Sequence, residues 1–161
     1  MSSQVLSAQE VSSDPALTAW VRFLRAHAAI TRELGARLEA DHGLTMSDYD
    51  VLIQLYLAEG HAMRRVDIAR QVLLTASGIT RLLDGLESCG LVAKKACASD
   101  ARVSYAVLTA EGVRKVESAR DTHHADVEEL FGSRLAPKER EQLAELLGRL
   151  PLAHTAEQCS E

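Results

Sequence analysis

The feature that most constrains this chain is a change of hydrophobic period near its centre. Between Ala76 and Ser88 the apolar residues recur at three- and four-residue spacing, which predicts an amphipathic helix. Gly90 suits the C-terminal end of that helix. Beyond it, Leu91 to Lys95 and Arg102 to Leu108 are predicted to form the two strands of a β-hairpin, with Val103, Tyr105 and Val107 alternating on one face. A short helix followed directly by a hairpin is compatible with few folds.

Further helices are predicted on both sides of this centre from caps, breakers and apolar periodicity. They cover 15–40, 45–58, 65–72, 109–131 and 137–150. The long helix after Thr109 repeats its inward residues as a heptad seam, the pattern of helix-to-helix contact. These residues fit either the core of one chain or a contact between two chains, and the helix length favours a dimer. They are Val113, Val116, Arg120, His123, Val127 and Leu130.

Charge is distributed unevenly along the 161 residues. The net charge is −5, but the window 64–102 holds seven basic and four acidic residues, so it carries +3 and the rest −8. A basic patch on an acidic body fits a protein that touches DNA with one face. No apolar run approaches the roughly 20 residues of a membrane span, and the N-terminus does not resemble a secretory signal. We therefore expect a cytoplasmic protein with no membrane partner.

The predicted central helix presents a polar side that suits the major groove of DNA. Ser77, Thr80 and Arg81 carry hydrogen-bonding groups near the helix N-terminus, the end that DNA-reading helices insert. Thr75 is the predicted N-cap, and the free N–H groups beside it suit a phosphate. Along the hairpin, basic side chains are placed to neutralise phosphates or to enter a minor groove. These are Lys94, Lys95 and Arg102.

At this point the sequence resembles the MarR (multiple-antibiotic-resistance) family of transcription regulators. The segment 73–87 resembles the recognition helix of that family, and 89–92, Asp100-x-Arg102 and 108–112 resemble its wing and exit. The resemblance covers 15–150 and implies a mainly α fold, a winged helix-turn-helix with N- and C-terminal helices forming a dimerisation region. The corresponding division is a flexible tail at 1–13, dimerisation helices at 14–44 and 110–152, a DNA-binding lobe at 45–109, and a tail at 153–161.

The resemblance also implies roles for single residues. Asp100 and Arg102 match the wing motif, in which the Asp orients the Arg toward the minor groove. Ala101 and Ala96 depart from the pattern, where Arg and Pro are common, which leaves two alternatives: a wing that binds DNA more weakly, or compensation by Lys94 and Lys95. The predicted DNA-binding residues are Thr75, Ser77, Thr80, Arg81, Lys94, Lys95, Asp100 and Arg102. The partner is double-stranded DNA bound as a homodimer on a pseudo-palindrome, with repression relieved by a ligand as the commoner outcome in the family.

Members of the family often bind small aromatic acids between the dimer core and the DNA-binding lobe. If the first two helices pack as in the family, an apolar pocket with a few polar groups forms here. Its predicted lining is Trp20, Arg22, Phe23, His27, Met46 and Tyr49. Arg22 or Arg25 is a candidate partner for a ligand carboxylate. The alternative is that His27 and His123 are ordinary core or interface histidines.

Other readings of the sequence remain as alternatives. The pair His123-His124 could sense a metal, although adjacent helical residues diverge by roughly 100°. Cys97 near the hairpin tip could sense oxidants; Cys89, Cys97 and Cys159 are too widely spaced to suggest a disulfide framework or a zinc site. A dimeric adaptor that has lost DNA binding is a further alternative. No catalytic motif, cofactor motif or metal site is evident, so an enzyme is not expected.

Overall fold

The computed structural model describes residues 14–72, 76–96 and 103–150, which form two compact units divided between His123 and His124. The described helices are α1 (Pro15–His42), α2 (Met46–Leu57), α3 (Arg65–Gln71), α4 (Ala76–Ser88), α5 (Ala110–Leu130) and α6 (Pro137–Gly148). The strands are β1 (Ala62–Arg64), β2 (Val92–Ala96) and β3 (Ser104–Leu108). Short 3₁₀ turns lie at Glu59–His61 and Gly132–Arg134. The predicted fold class, mainly α with a small antiparallel wing, is confirmed.

The ends of the helices follow from their capping residues. Asp14 accepts a hydrogen bond from the Ala16 amide at 2.8 Å, and α1 ends at Gly43, whose φ of 64° suits glycine. At the start of α2, Thr45 and Asp48 form the predicted capping box, each side chain accepting from the other's backbone N–H. Both ends of α1 and the start of α2 are therefore fixed by local capping residues that the sequence shows.

The sheet has three antiparallel strands in the order β1-β3-β2. Strand β3 is central: Tyr105 lies opposite Arg64 of β1 on one side and Lys95 of β2 on the other. The hairpin of β2 and β3 was expected, but β1 was not predicted. Three residues are too few for a period of two to stand out, so this strand exists through its pairing with β3 rather than through a local signal.

The core of the first unit lies between the helices and the sheet. Val51, Leu52 and Leu55 of α2 are completely buried, and α3 adds Ile68. Burying a side chain of this size contributes about 1.5–3 kcal/mol, so α2 is the central support of the unit. The sheet, the end of α1 and the start of α5 complete this core with Val92, Ala106, Leu108, Leu38, Val116 and Ala119.

The first half of the predicted heptad seam packs inside this core. Val116 is completely buried and Val113 packs against the cluster. The ring of His123 lies 4.7 Å from that of Tyr49, and the guanidinium of Arg120 lies 5.7 Å from the ring centroid of Tyr56. The N-terminal half of the seam therefore packs in the core of this chain, one of the two alternatives that its spacing left open, whereas the contact between two chains stays a prediction.

The second unit consists of the end of α5, the 3₁₀ turn and α6. Arg140 of α6 joins Glu128 of α5 by two hydrogen bonds of 2.8 and 3.2 Å and donates to the carbonyl of Leu135. No residue of Pro137–Gly148 is buried, and Leu146 is 55% exposed. Across the described ranges, no helix combines the length and hydropathy that crossing a bilayer requires.

Candidate nucleic-acid interface

Helix α4 divides cleanly into a buried and an exposed side. Ile79, Leu83 and Leu86 are 2–3% exposed and hold the helix against the core. Thr80 and Arg81 lie on the exposed side, as predicted. The helix is therefore fixed to the lobe by one face, and its polar face is open along the turns that follow its N-terminus.

Arg81 carries an uncommitted positive charge on that open face. Its guanidinium forms no ion pair or hydrogen bond with any other residue that the structure describes. A planar guanidinium can donate two parallel hydrogen bonds, the geometry that guanine presents in the major groove. Arg81 is thus free to bind an external acceptor.

An ion pair links α4 to the preceding helix. Arg65 at the start of α3 donates from Nη2 to Oδ1 of Asp84 at 3.2 Å. The side chain of Arg65 is 23% exposed whereas that of Asp84 is 61% exposed, so solvent weakens the pair. The pair contributes little free energy, but it links the two helices of the helix-turn-helix and so helps to fix their relative orientation. Sequence reasoning missed this pair, because 19 positions separate its members.

A second contact links α4 to the wing. The backbone N–H of Lys94 donates to Oε1 of Glu87 at 3.3 Å. Successive residues of a strand point to opposite faces, so Lys94 shares a face with buried Val92, and Lys95 shares the other with Ala93. Both lysine side chains are exposed and lack ion pairs with the described residues. The recognition helix and the base of the wing are thus joined, with two cationic groups beside them.

Arg64, which directly precedes α3, and the arginines of α3 are less available to DNA than the charge count indicated. Arg64 lies 2.8 Å and Arg70 lies 3.7 Å from carboxylate oxygens of Asp67, while Arg65 pairs with Asp84. The uncommitted positive charge of the described lobe is consequently concentrated on α4 and β2 rather than spread over the whole window 64–102.

The exit from the wing is held by a threonine and a glycine. Thr109 donates from Oγ1 to the carbonyls of Gly90 at 2.7 Å and Leu91 at 3.1 Å, and accepts from the Gly112 amide at 3.0 Å. A Cβ added to Gly112 would collide with the carbonyl oxygen of Leu91. The segment 108–112, noted for its resemblance, therefore closes β3 against the end of α4 and starts α5.

Several predicted DNA-binding residues are not placed by the structure. Thr75, Asp100 and Arg102 lie outside the described residues, and so does Cys97. The backbone of Ser77 belongs to the first turn of α4. Their proposed roles stay predictions, whereas Thr80, Arg81, Lys94 and Lys95 are brought to the exposed side of one lobe.

The residues predicted to bind an effector fall into two groups within one chain. Trp20, Phe23 and His27 form an exposed row along α1, with successive ring centroids 6.2 Å apart, and Arg22 is exposed on the same helix. Tyr49 is instead buried in the core, and Met46 is partly buried against it. Burial raises the pKa of the Tyr49 phenol, and the charge of Arg120 opposes that rise.

The two groups contact different parts of α1 and lie far apart. Met46 packs beside Gly35, which follows His27 by eight residues, or about 12 Å of helix. A single chain therefore does not form the predicted pocket from these six residues. His27 is not a core histidine either, because its side chain is exposed. Among the described residues no group of three His, Cys, Asp or Glu side chains is arranged to hold a metal.

Together, a helix-turn-helix, an adjoining hairpin and a face of uncommitted cations define the class of winged helix-turn-helix DNA-binding proteins. A model of the MarR family matches residues 42–103. AbsC, a MarR family transcriptional regulator from Streptomyces coelicolor, is 31% identical in sequence and superimposes with a TM-score of 0.78, covering 88% of this chain and 91% of AbsC. The chain belongs to the MarR family of transcriptional regulators.

Two further comparisons agree. The transcriptional regulator MhqR of Bacillus subtilis is 28% identical over 140 residues, which span 87% of this chain and 94% of MhqR. Sco3205, a MarR family regulator from Streptomyces coelicolor solved in complex with DNA, is 25% identical with a TM-score of 0.78. The alignment covers 88% of this chain and 85% of Sco3205. These relatives are regulators, and DNA binding by this chain is supported by its family and fold.

Proposed function

We propose that this regulator binds a pseudo-palindromic operator as a homodimer and represses transcription until a small ligand releases it. The main support for the proposal is Arg81, which is exposed and has no partner among the described residues, on a helix whose opposite face is buried in the core. A protein bound across a promoter excludes the polymerase, which makes repression the proposed outcome.

Each predicted contact has a distinct role in this proposal. Arg81 and Thr80 read base edges in the major groove, with Ser77 and Thr75 beside them at the helix N-terminus. Lys94 and Lys95 neutralise phosphates flanking the groove. Arg102, oriented by Asp100, enters the neighbouring minor groove.

The dimer is proposed from apolar surface that the single chain leaves exposed. On α1, Trp20 and Phe23 are 56% and 41% exposed, and on α6 Leu146 is 55% exposed. Large apolar side chains clustered on helices of a soluble protein mark a contact surface. We assign these helices to the dimer, as the family resemblance implies.

A small aromatic ligand at the row of Trp20, Phe23 and His27 belongs to the same proposal. One chain presents the row without the other predicted lining residues, so a complete site there requires the second protomer. The ligand releases DNA if it binds better to a dimer whose lobes are wrongly spaced for the operator.

The primary test is fluorescence anisotropy on a fragment from upstream of the gene, titrated at several salt concentrations. Arg81→Ala is expected to weaken binding by about 1–3 kcal/mol and to relax base preference. Lys95→Ala is expected to reduce the salt slope by about one unit, without altering preference. Arg114→Ala, which removes an exposed arginine paired with Glu111 on α5, is the matched control and is expected to change neither.

Equal losses for Arg81→Ala and Arg114→Ala would overturn the assignment of α4. Absence of salt-dependent DNA retention in the wild type would instead favour an adaptor that has lost DNA binding.

A further inference from the structure

An acidic side chain lies on the open face of the recognition helix, where the negative charge of DNA opposes it. Asp84 follows Arg81 by three positions in α4, and residues at that spacing are neighbours on one side of a helix. Both residues are exposed. DNA carries one negative charge for about every 1.7 Å of its axis, so a carboxylate here weakens nonspecific binding. Attraction to phosphate therefore does not account for an acidic residue at this place.

One oxygen of this carboxylate is bonded and the other is not. Arg65 donates from Nη2 to Oδ1 of Asp84 at 3.2 Å. Among the described residues no group donates to Oδ2 of Asp84. An ionised carboxylate has about four lone-pair sites, so an acceptor remains on the open face of α4. The guanidinium of Arg65 also supplies a compensating positive charge, which reduces repulsion between this carboxylate and nearby phosphates.

The pair is asymmetric in its exposure to solvent. Arg65 is the shielded partner, with a side chain 23% exposed, whereas that of Asp84 is 61% exposed. A link between α3 and α4 accounts for the bonded oxygen but gives no role to the exposed one. Arg65 is therefore placed as a support, and Asp84 presents the surface that an external donor can reach.

The major groove of DNA offers donors of the required kind. Cytosine N4 and adenine N6 both present amino groups there, and carboxylates accept from cytosine N4. Phosphate and sugar oxygens of DNA carry no such donor, so Asp84 is suited to a base and not to the backbone. Three residues of helix span about 4.5 Å, and base pairs are about 3.4 Å apart. With α4 along the groove, Asp84 lies about one base step from the position that Arg81 contacts.

We infer that Asp84 is a specificity-determining residue of the DNA interface, and that Arg65 is its positioning residue. The second oxygen of Asp84 accepts from the amino group of a cytosine or an adenine next to the guanine bound by Arg81. Guanine O6 and thymine O4 are rejected at that place, because each would set an acceptor against the carboxylate. The inference rests on the DNA binding of the proposed function, but not on its dimer or its ligand.

The test starts from duplexes that the full chain selects from a library randomised over two helical turns. Fluorescence anisotropy then compares the selected duplex with its single base-pair changes. Replacing the selected cytosine or adenine is expected to weaken binding by the wild type about fivefold or more. Asp84→Ala is expected to lose this discrimination and to keep the preference for guanine. It is also expected to bind an unrelated duplex at least as tightly as the wild type, because a negative charge has been removed.

Two further variants separate base reading from support of the fold. Asp84→Asn keeps an oxygen for Arg65 and presents an amide nitrogen to the groove. It is expected to reject cytosine but to keep adenine, whose N7 accepts, so it also distinguishes the two bases. Arg65→Ala is expected to reduce discrimination at the same base pair alone. Asp41→Ala removes a negative charge from an exposed position of α1 and is the matched control, with base preference unchanged. If Asp84→Ala does not fold, Asp84→Asn decides the question.

A purely structural role for the pair gives different results. Equal weakening at every base pair in Asp84→Ala, or a base preference that both Asp84 variants leave unchanged, would overturn the inference. If that preference is unchanged while Arg81→Ala relaxes it, the proposed function stands and the inference fails. If the wild type selects a single half-site containing the Asp84-dependent base pair, the inference stands and the proposed homodimer fails. Absence of DNA retention by the wild type would overturn both.

Discussion

Helices α4 and α6 both carry apolar side chains along one face, but only those of α4 are buried within the chain. The stripe of α4 is 2–3% exposed at Ile79, Leu83 and Leu86, whereas no residue of α6 is buried. Helix α4 is therefore satisfied within the first unit, although α1 of the same unit leaves Trp20 and Phe23 exposed. The second unit leaves apolar surface in contact with water, at a cost of about 25 cal/mol for each Å².

Under the proposed dimer, this difference separates the DNA-reading part, which one chain completes, from the dimerisation helices, which require a second chain. A DNA-reading helix must be held rigidly by its own lobe, since its side chains have to meet base edges in a fixed register. A dimerisation helix has the opposite requirement, because its apolar side must stay available for another copy.

The largest expected effect comes from the core of α2, where two leucines two positions apart provide a matched pair. Leu55 is completely buried and Leu57 is 71% exposed. We expect Leu55→Ala to lower the free energy of unfolding by about 2–5 kcal/mol, and Leu57→Ala to change it by less than about 0.5 kcal/mol. Urea denaturation followed by circular dichroism measures both. Equal losses would show that the lobe is not complete in one chain.

The next effect concerns the exposed stripe of α6. Leu146→Glu would place a charge in the proposed dimer contact, and we expect it to raise the dissociation constant of the dimer at least about tenfold, or 1.4 kcal/mol. Sedimentation velocity over a concentration series measures this constant. Leu57→Glu introduces the same charge at an exposed leucine of the lobe and is expected to leave the dimer intact. An unchanged dimer in Leu146→Glu would remove α6 from the interface.

The same division explains which parts of the fold could be predicted. Helix α4 was predicted with its observed bounds, Ala76–Ser88, because its apolar spacing and Gly90 are local signals. The heptad seam of α5 predicted a helix contact correctly but not its partner. Val116 packs inside the chain, a choice that depends on where α2 lies and that no spacing encodes.

For the candidate site too, the sequence predicted which residues share a face but not which residues contact each other in the folded chain. Thr80 and Arg81 could be placed on an open face from the period of α4 alone. The contacts from Arg65 to Asp84 and from Lys94 to Glu87 could not, because they join residues that only the folded chain brings together. The six residues predicted around Trp20 do not converge within one chain, and the reason is related: helix periodicity shows which residues share a face, but not which helix lies against that face.

A smaller effect is expected at two glycines, one beside open space and one in close contact with backbone. Gly85→Ala adds a methyl group where nothing lies within 4 Å, so we expect it to raise the free energy of unfolding by about 0.5–1 kcal/mol. Gly112→Ala is the contrasting variant, because its Cβ would collide with the Leu91 carbonyl, and it is expected to destabilise the lobe. Thermal and urea unfolding measure both changes. Destabilisation by Gly85→Ala would mean that the space beside Gly85 is smaller than the structure shows.

The smallest expected effect concerns Asp50, whose carboxylate lies half-buried in the interior of the lobe. Burial raises the pKa of the Asp50 carboxyl in α2, and a hydrogen bond with Gln54 partly opposes the rise. Between the ordinary pKa and the raised one, the folded state binds more protons than the unfolded state, so stability increases as the pH falls through that window. Above it, the wild type carries the full cost of a half-buried carboxylate.

Asp50→Asn removes that cost and keeps an acceptor for Gln54, so we expect the variant to be the more stable protein at neutral pH. The advantage should shrink as the pH falls through the window and should be constant below the ordinary pKa of an aspartate. Urea unfolding of both proteins across that range measures it, with Asp41→Asn at an exposed position of α1 correcting for the change in net charge. An advantage that grows toward low pH would mean that the carboxylate of Asp50 is stabilised in the folded lobe, and that the interior of the lobe favours charge where its burial predicts a cost.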